Sequence, residues 1–273
     1  MSPTVTDEAR AHFDAQVARD DRALRTRSVL VVVCQVVVAA ALLGAWQLAA
    51  TSGWANPVYI GSPSLIASEF WSNTSNGFFF VQSVPTLTAI GLSFLLASAC
   101  GIAGGVLLHE VTFLARVFGP FIAAVNGVPR IALAPVTIVW FGLGLASKVA
   151  LAFSLVVFIV LLTTEAALRN VDSDLVRLCK ALGASRIKTL LSVKLPWALP
   201  GIFAGLRLGL LYAIVSVIVN EMIASPDGLG QLLALYSNTF QISKMFAVLA
   251  FTSIATILAD ACLQRVERRL QVW

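Results

Sequence analysis

Few side chains in this sequence are spaced for catalysis. His109-Glu110 opens like the H-E-x-x-H zinc pair, but Phe113 stands where the second imidazole is needed, and His12 is the only other histidine. The run from Gly142 to Lys148 ends in Ser-Lys but lacks the second glycine of a phosphate-cradling loop. Cys34, Cys100 and Cys262 lie in apolar runs and Cys179 in a basic stretch. With no C-x-x-C and no Cys/His cluster, small apolar fillers explain them, and neither a metal centre nor a disulfide framework is indicated. What remains is a set of isolated polar groups within apolar sequence, which default to functional candidates. Glu165 and Arg169, four residues apart, read as an ion pair at a helix end. Arg207 either snorkels to a surface or faces a cavity. Asp260 reads as a partner for Arg265 or another C-terminal arginine. Arg130 lies between Pro129 and Pro135, with Asn126 one turn earlier. It reads either as a cation offered to an anionic solute or as an ion pair with Glu110 or Glu165. Asn220 and Glu221 read as the lining of an outer gate, a contact for a partner, or packing. Asn126, Arg130, Arg207, Asn220 and Glu221 are therefore the candidate lining of a path for solute, and no residue is a catalytic candidate.

The elements that must hold these groups are dictated by composition. Of 273 residues, 58% are hydrophobic and 12% charged, where a soluble domain carries about 25% charge. With a mean hydropathy of +0.88, this excludes a disordered chain, a nucleic-acid-binding domain (despite a net charge of +5) and an ordinary soluble enzyme. A membrane helix needs about 20 apolar residues. Six runs qualify: Val29–Ala50, then about 85–108, 118–143, 149–167, 201–223 and 245–263. An all-α, six-span bundle follows. The third run contains Pro129, Arg130 and Pro135 and must be broken, which lipid tolerates only where protein satisfies the freed backbone groups. It is accordingly expected inside the bundle. Segment 1–28 carries five arginines, with Phe13, Val17 and Leu24 on one face, and reads as an interfacial helix. Because much polar chain precedes it, 29–50 reads as a retained anchor rather than a cleaved signal.

Charge assigns the sides. Fifteen of the 19 Lys and Arg fall in 1–28, at Arg116, in the stretch from Arg169 to Lys194, or in the tail 265–273. The positive-inside rule makes those segments and both termini cytoplasmic. It leaves 51–84, the turn near Gly142 and 224–243 outside. The basic charge reports topology, so no nucleic-acid partner is needed to explain it. Ser93, Ala97, Gly101 and Gly105 in the second span, and Gly201, Gly205 and Gly209 in the fifth, recur every four residues and predict close helix approach.

Residues 170–200 are the informative stretch. Asp172 is placed to cap a helix whose apolar stripe is Leu175, Leu178, Cys179 and Leu182, and Gly183 can take the positive φ that ends it. Ser185 can cap a second short helix carrying Ile187, Leu190, Leu191 and Leu195, closed by Pro196. A rigid helical hairpin of this kind suits insertion into a groove on another protein.

Arg177-Leu178-Cys179, three residues, Gly183, nine residues and Val193-Lys194-Leu195-Pro196 match the spacing of the E-A-A-x3-G-x9-I-x-L-P loop of ABC importer permeases. Together with "GVPRIALAPVTIVWFGLGLASK" from Gly127, "GSPSLI" and "NEMIASPDGLG", the sequence from about 56 to 269 resembles the nitrate/sulfonate/taurine-type permeases. The resemblance implies a type I importer permease (MetI-like) fold, with a peripheral first helix and a core over 85–264. It also implies two ATPase subunits that hold ATP and Mg²⁺, a second permease copy, and an extracytoplasmic binding protein, with no cofactor on this chain. Asp174, Arg177, Leu178, Cys179, Lys180, Ala181, Leu182, Gly183, Ala184 and Ser185 are then the ATPase-coupling residues. The solute implied is a small anion such as a sulfonate, taurine or nitrate, or else a vitamin precursor or other small nitrogenous compound. One departure stands out: Arg177 occupies the place of the glutamate and reverses its charge. A secondary transporter is the rival from another class, but it calls for inverted repeats and intramembrane acidic pairs, and neither is found.

Overall fold

The computed structural model describes residues 30–52 and 57–270. The interfacial helix expected in 1–28 lies outside the described residues. The chain divides into two compact units, one ending at Leu65 and the other beginning at Ile66. The first holds α1 (Leu30–Thr51), without a charge along its length, and α2 (Pro57–Ile60). α3 (Pro63–Ser75) straddles the division, and its Ser64 N–H donates to Gln47 Oε1 at 3.1 Å.

The second unit is a helical bundle built on one central helix. In chain order it contains α4 (Phe78–Glu110), α5 (Thr112–Asn126), a 3-10 turn (Arg130–Leu133), α6 (Ala134–Phe141) and α7 (Leu145–Arg169). There follow α8 (Ser173–Ala181), α9 (Arg186–Thr189), a π turn (Leu190–Lys194), α10 (Leu195–Ala224), α11 (Leu229–Asn238) and α12 (Ile242–Leu270). Among the described residues five helices are each long and apolar enough to cross a membrane, or six if the bent α5–α6 pair is one span.

The two small-residue stripes explain why α7 is central. A Cβ on Gly101 would lie 2.8 Å from Val160 Cβ, and one on Gly105 would lie 2.7 Å from the Leu161 carbonyl. From α10, a Cβ on Gly205 would collide with the Thr163 side chain, and one on Gly209 would lie 3.1 Å from Val156. Helices that gain nothing from hiding apolar surface in lipid associate through such backbone approach. Around these contacts Ala97, Ala152, Val156, Val160, Ala213 and Val217 are fully buried.

Three expectations require correction. The second span begins at Phe78, not at Pro85: Asn76 Oδ1 accepts from Phe78 N–H at 2.9 Å, Gly77 takes φ +81°, and Pro85 is carried inside the helix. Secondly, the third span is broken by 77° but is not wholly inside. Ala134 packs with Leu151 and Leu155, whereas α5 buries none of its residues; the break sends the two halves in different directions. Pro196, thirdly, does not close the second hairpin helix. Leu195 N–H bonds the Leu190 carbonyl across a wider π turn, so Pro196 falls in the first turn of α10, where its missing N–H is harmless. After the fifth span, α11 buries Leu229, Leu232 and Leu233 against Phe79, Ala247 and Val248.

Candidate functional site

The hairpin between α7 and α10 is fixed at both ends of α8. Asp172 Oδ1 accepts from Asp174 N–H at 2.8 Å. Gly183, at φ +76°, donates to the Lys180 carbonyl, and Ala184 N–H bonds the Cys179 carbonyl, both at 3.0 Å. This bond pair is a Schellman stop, and it uses the glycine for its left-handed φ. Ser185 Oγ then accepts from Lys188 N–H at 3.3 Å, capping α9. Beneath the hairpin, Val176, Leu190 and Leu195 pack against buried Leu168, Val171, Ala198 and Ile202. Lys194 Nζ contacts Glu110 Oε1 at 2.6 Å and His109 Nε2 at 3.1 Å, so the two residues of the false zinc motif anchor this turn. The apolar stripe divides: Leu175 and Cys179 are half-buried, whereas Leu178 and Leu182 are 56% and 78% exposed. Arg177 pairs only loosely with Asp174, at 3.5 Å, both exposed.

The polar candidates within the spans are held at four separate places. Arg130 is 6% exposed at the break between α5 and α6. Its Nη1 donates to the Ser154 carbonyl at 3.0 Å, and its Nη2 donates to Val125 O at 3.2 Å and Asn126 Oδ1 at 2.9 Å. Its guanidinium also stacks 4.2 Å from the Phe158 ring centre. The Val125 carbonyl at the end of α5, which also accepts from Val128 N–H at 3.3 Å, thereby gains a second donor. The expected ion pair with Glu110 or Glu165 does not form, because Glu110 holds Lys194 and Glu165 holds Arg169. No carboxylate neutralises Arg130 among the described residues, and its Nε finds no acceptor there. Asn126 also lines a cavity of about 310 Å³ with Gly119, Ala123, Leu162, Glu165 and Arg169.

Arg207 neither snorkels freely nor stands alone. It grips Asp260 through Nε at 3.0 Å and Nη2 at 3.3 Å, and Gln264 completes the carboxylate. Asp260 therefore has an interhelical partner rather than a C-terminal arginine. Asn220 is buried and donates to Thr137 Oγ1 at 3.2 Å. Glu221, 1% exposed, accepts from Thr86 Oγ1 (2.9 Å to Oε2), Gly230 N–H (2.9 Å) and Lys148 Nζ (3.0 Å).

Residues 89–272 match the family of binding-protein-dependent transport system inner membrane components. The chain belongs to this family. The permease is 32% identical to the riboflavin transport system permease protein RibX of Chloroflexus aurantiacus, over 85% of this chain and 87% of that protein. It is 28% identical to the taurine transport system permease protein TauC of Escherichia coli, over 86% and 87%. Its fold is similar to that of the inward-facing MetNI methionine ABC transporter, with a TM-score of 0.63, 23% identity, and coverage of 71% of this chain and 96% of that one. It is a multi-pass inner-membrane protein of the ABC importer class, and its relatives are transport permease components.

One buried charge cluster of this permease escaped the sequence. Lys148 is 2% exposed and bridges Glu221 to Asp227 Oδ1 at 2.9 Å. The signal was present as a lone lysine in the first turn of an apolar span and a glutamate in the last turn of another. Their pairing depends on which ends of α7 and α10 meet. The sequence "DGLG" builds the other half of the site. Gly228 takes φ +106°, and a Cβ there would collide with the Glu221 carboxylate. Leu229 N–H meanwhile bonds Thr86 Oγ1 at 2.9 Å.

Proposed function

We propose that this permease forms half of the solute path of an ATP-driven importer, with a second copy of itself supplying the other half. Two separate ATPase subunits carry ATP and Mg²⁺ and seat on the hairpin from Asp174 to Ser185. An extracytoplasmic binding protein delivers solute to the opposite face, and both termini are cytoplasmic. The supporting observation is the hairpin itself, a short helix fixed at both ends that holds Leu178 and Leu182 out from the bundle. A lever must be rigid to pass on movement, and an exposed leucine pair on a basic element needs a partner. Import requires that ATP and the loaded binding protein favour the same minor conformation, since a ligand shifts an equilibrium only by its differential affinity. Gly183→Trp tests the hairpin's role: the variant should reach normal membrane abundance and lose ATPase association and uptake. Normal association and normal uptake would remove the assignment.

The solute we propose is a small anion of the sulfonate, taurine or nitrate class. Arg130 supports this reading, being a permanent cation at the break with no carboxylate to neutralise it among the described residues. The Arg207 and Glu221 pairs and Asn220 then serve as walls, and Asn126 orients Arg130. A vitamin or vitamin precursor is the second reading, favoured by the likeness to the riboflavin permease. Thermal-shift screening of the co-encoded binding protein against taurine, alkanesulfonates, nitrate and riboflavin separates them. Stabilisation by riboflavin alone would exclude the anion. Arg130→Ala at normal abundance should cut anion uptake, and unchanged uptake would remove Arg130 from the path.

A further inference from the structure

Two cavities meet behind the hairpin, and they differ in chemistry. One, of about 280 Å³, is lined by His109, Glu110, Val176, Lys180, Arg186 and Lys194 among others. It presents three permanent cations against one carboxylate, and that carboxylate is already engaged by Lys194. Lys180 and Arg186 make no ion pair among the described residues. The other, an open groove of about 500 Å³, is walled by Ala103, Val106, Leu107, Ile187 and Leu190. Glu110 and Arg186 line both, so the basic chamber and the apolar groove adjoin. The groove follows the last two turns of α4, a helix that crosses the membrane. Val176, Lys180 and Ala184 face the chamber at four-residue spacing, while Leu178 and Leu182 are turned outward. The exposed leucine pair and this chamber are therefore on different sides of the hairpin, and of the residues named for ATPase coupling Lys180 and Ala184 are on the chamber side.

We propose that this paired cavity is a binding site for one anionic phospholipid. Its phosphate enters the chamber beside Lys180 and Arg186, and an acyl chain lies along Ala103, Leu107 and Ile187. A basic pocket at the end of a membrane helix suits an anionic headgroup. The adjoining apolar groove selects a lipid over a free anion, since water-soluble phosphate would leave Ile187, 71% exposed, facing solvent. A lipid seated there would brace the hairpin from behind, between α4 and the element that must move.

The test is native mass spectrometry of the full-length permease titrated with phosphatidylglycerol or phosphatidylcholine. The wild type should retain one phosphatidylglycerol with about tenfold preference. Lys180→Gln/Arg186→Gln should lose that preference, and Arg268→Gln/Arg269→Gln should keep it. Glycerol phosphate and inorganic phosphate should fail to displace the lipid. A second measurement serves if the double variant does not fold: phosphatidylglycerol with a photoreactive acyl chain should label the wild type within 103–107 and 187–190. Equal retention of both lipids, preference unchanged in Lys180→Gln/Arg186→Gln, displacement by free phosphate, or labelling only elsewhere would each overturn the proposal.

Discussion

Lys148 and Glu221 illustrate the asymmetry of buried charge. Removing two ions from water is expensive, and leaving one of them without its partner is worse, at about 3–5 kcal/mol. Glu221 is compensated by one lysine, one threonine hydroxyl and one backbone N–H at the start of α11. Lys148→Met should lower the thermal unfolding temperature of the detergent-purified permease substantially. Lys148→Met/Glu221→Gln should recover much of the loss, because the neutral amide still fits Thr86 and Gly230. Additive losses in this cycle would contradict the coupling. Arg130 makes a different prediction, since its work is done by a fork of donors rather than by a point charge. Arg130→Lys keeps the charge but cannot reach the carbonyls of Val125 and Ser154 together. Hydrogen bonds from a charged donor are worth about 1.5–3 kcal/mol, so Arg130→Lys should be destabilised nearly as much as Arg130→Ala, measured by the same melting assay. Wild-type stability in the lysine variant would show that charge alone suffices.

Helix contacts here depend on absent side chains. Gly105 abuts the Leu161 carbonyl and Thr164, whereas Gly91, on the same helix, has no atom within 4 Å of a built Cβ. Gly105→Leu should force α4 from α7 and cost at least the about 1–3 kcal/mol of an overpacked core, whereas Gly91→Leu should be neutral. Comparable melting shifts would refute the packing scheme. These stripes were legible in the sequence because backbone approach demands small residues at a fixed period. So were Asp172, Gly183 and Ser185, whose roles are set by neighbours within a few positions. Pro196 misled because it falls in the first turn of α10, where its missing N–H is harmless, and Pro85 because α4 carries it inside the helix. Lys148 with Glu221, and Arg207 with Asp260, were not legible as pairs: their partners are 73 and 53 residues apart, and only the packing of α7, α10 and α12 brings them together.

Taken whole, the permease has a basic end, where Lys194 meets Glu110 and Arg169 pairs with Glu165, and an opposite end, where Thr86, Lys148 and Glu221 meet. The positive-inside reading assigns the first to the cytoplasm. A cysteine introduced at Arg265 in a cysteine-free background should be shielded from an impermeant thiol reagent in intact cells, while one at Asn76 should be labelled; the reverse pattern would invert the topology. The proposed function rests on coupling between the ends, and reconstitution measures it most directly. Proteoliposomes holding the permease, its ATPase and its binding protein should accumulate solute only with ATP and Mg²⁺, and Gly183→Trp should abolish accumulation while leaving the permease inserted. Accumulation driven by a proton gradient with the permease alone would contradict an ATP-driven importer.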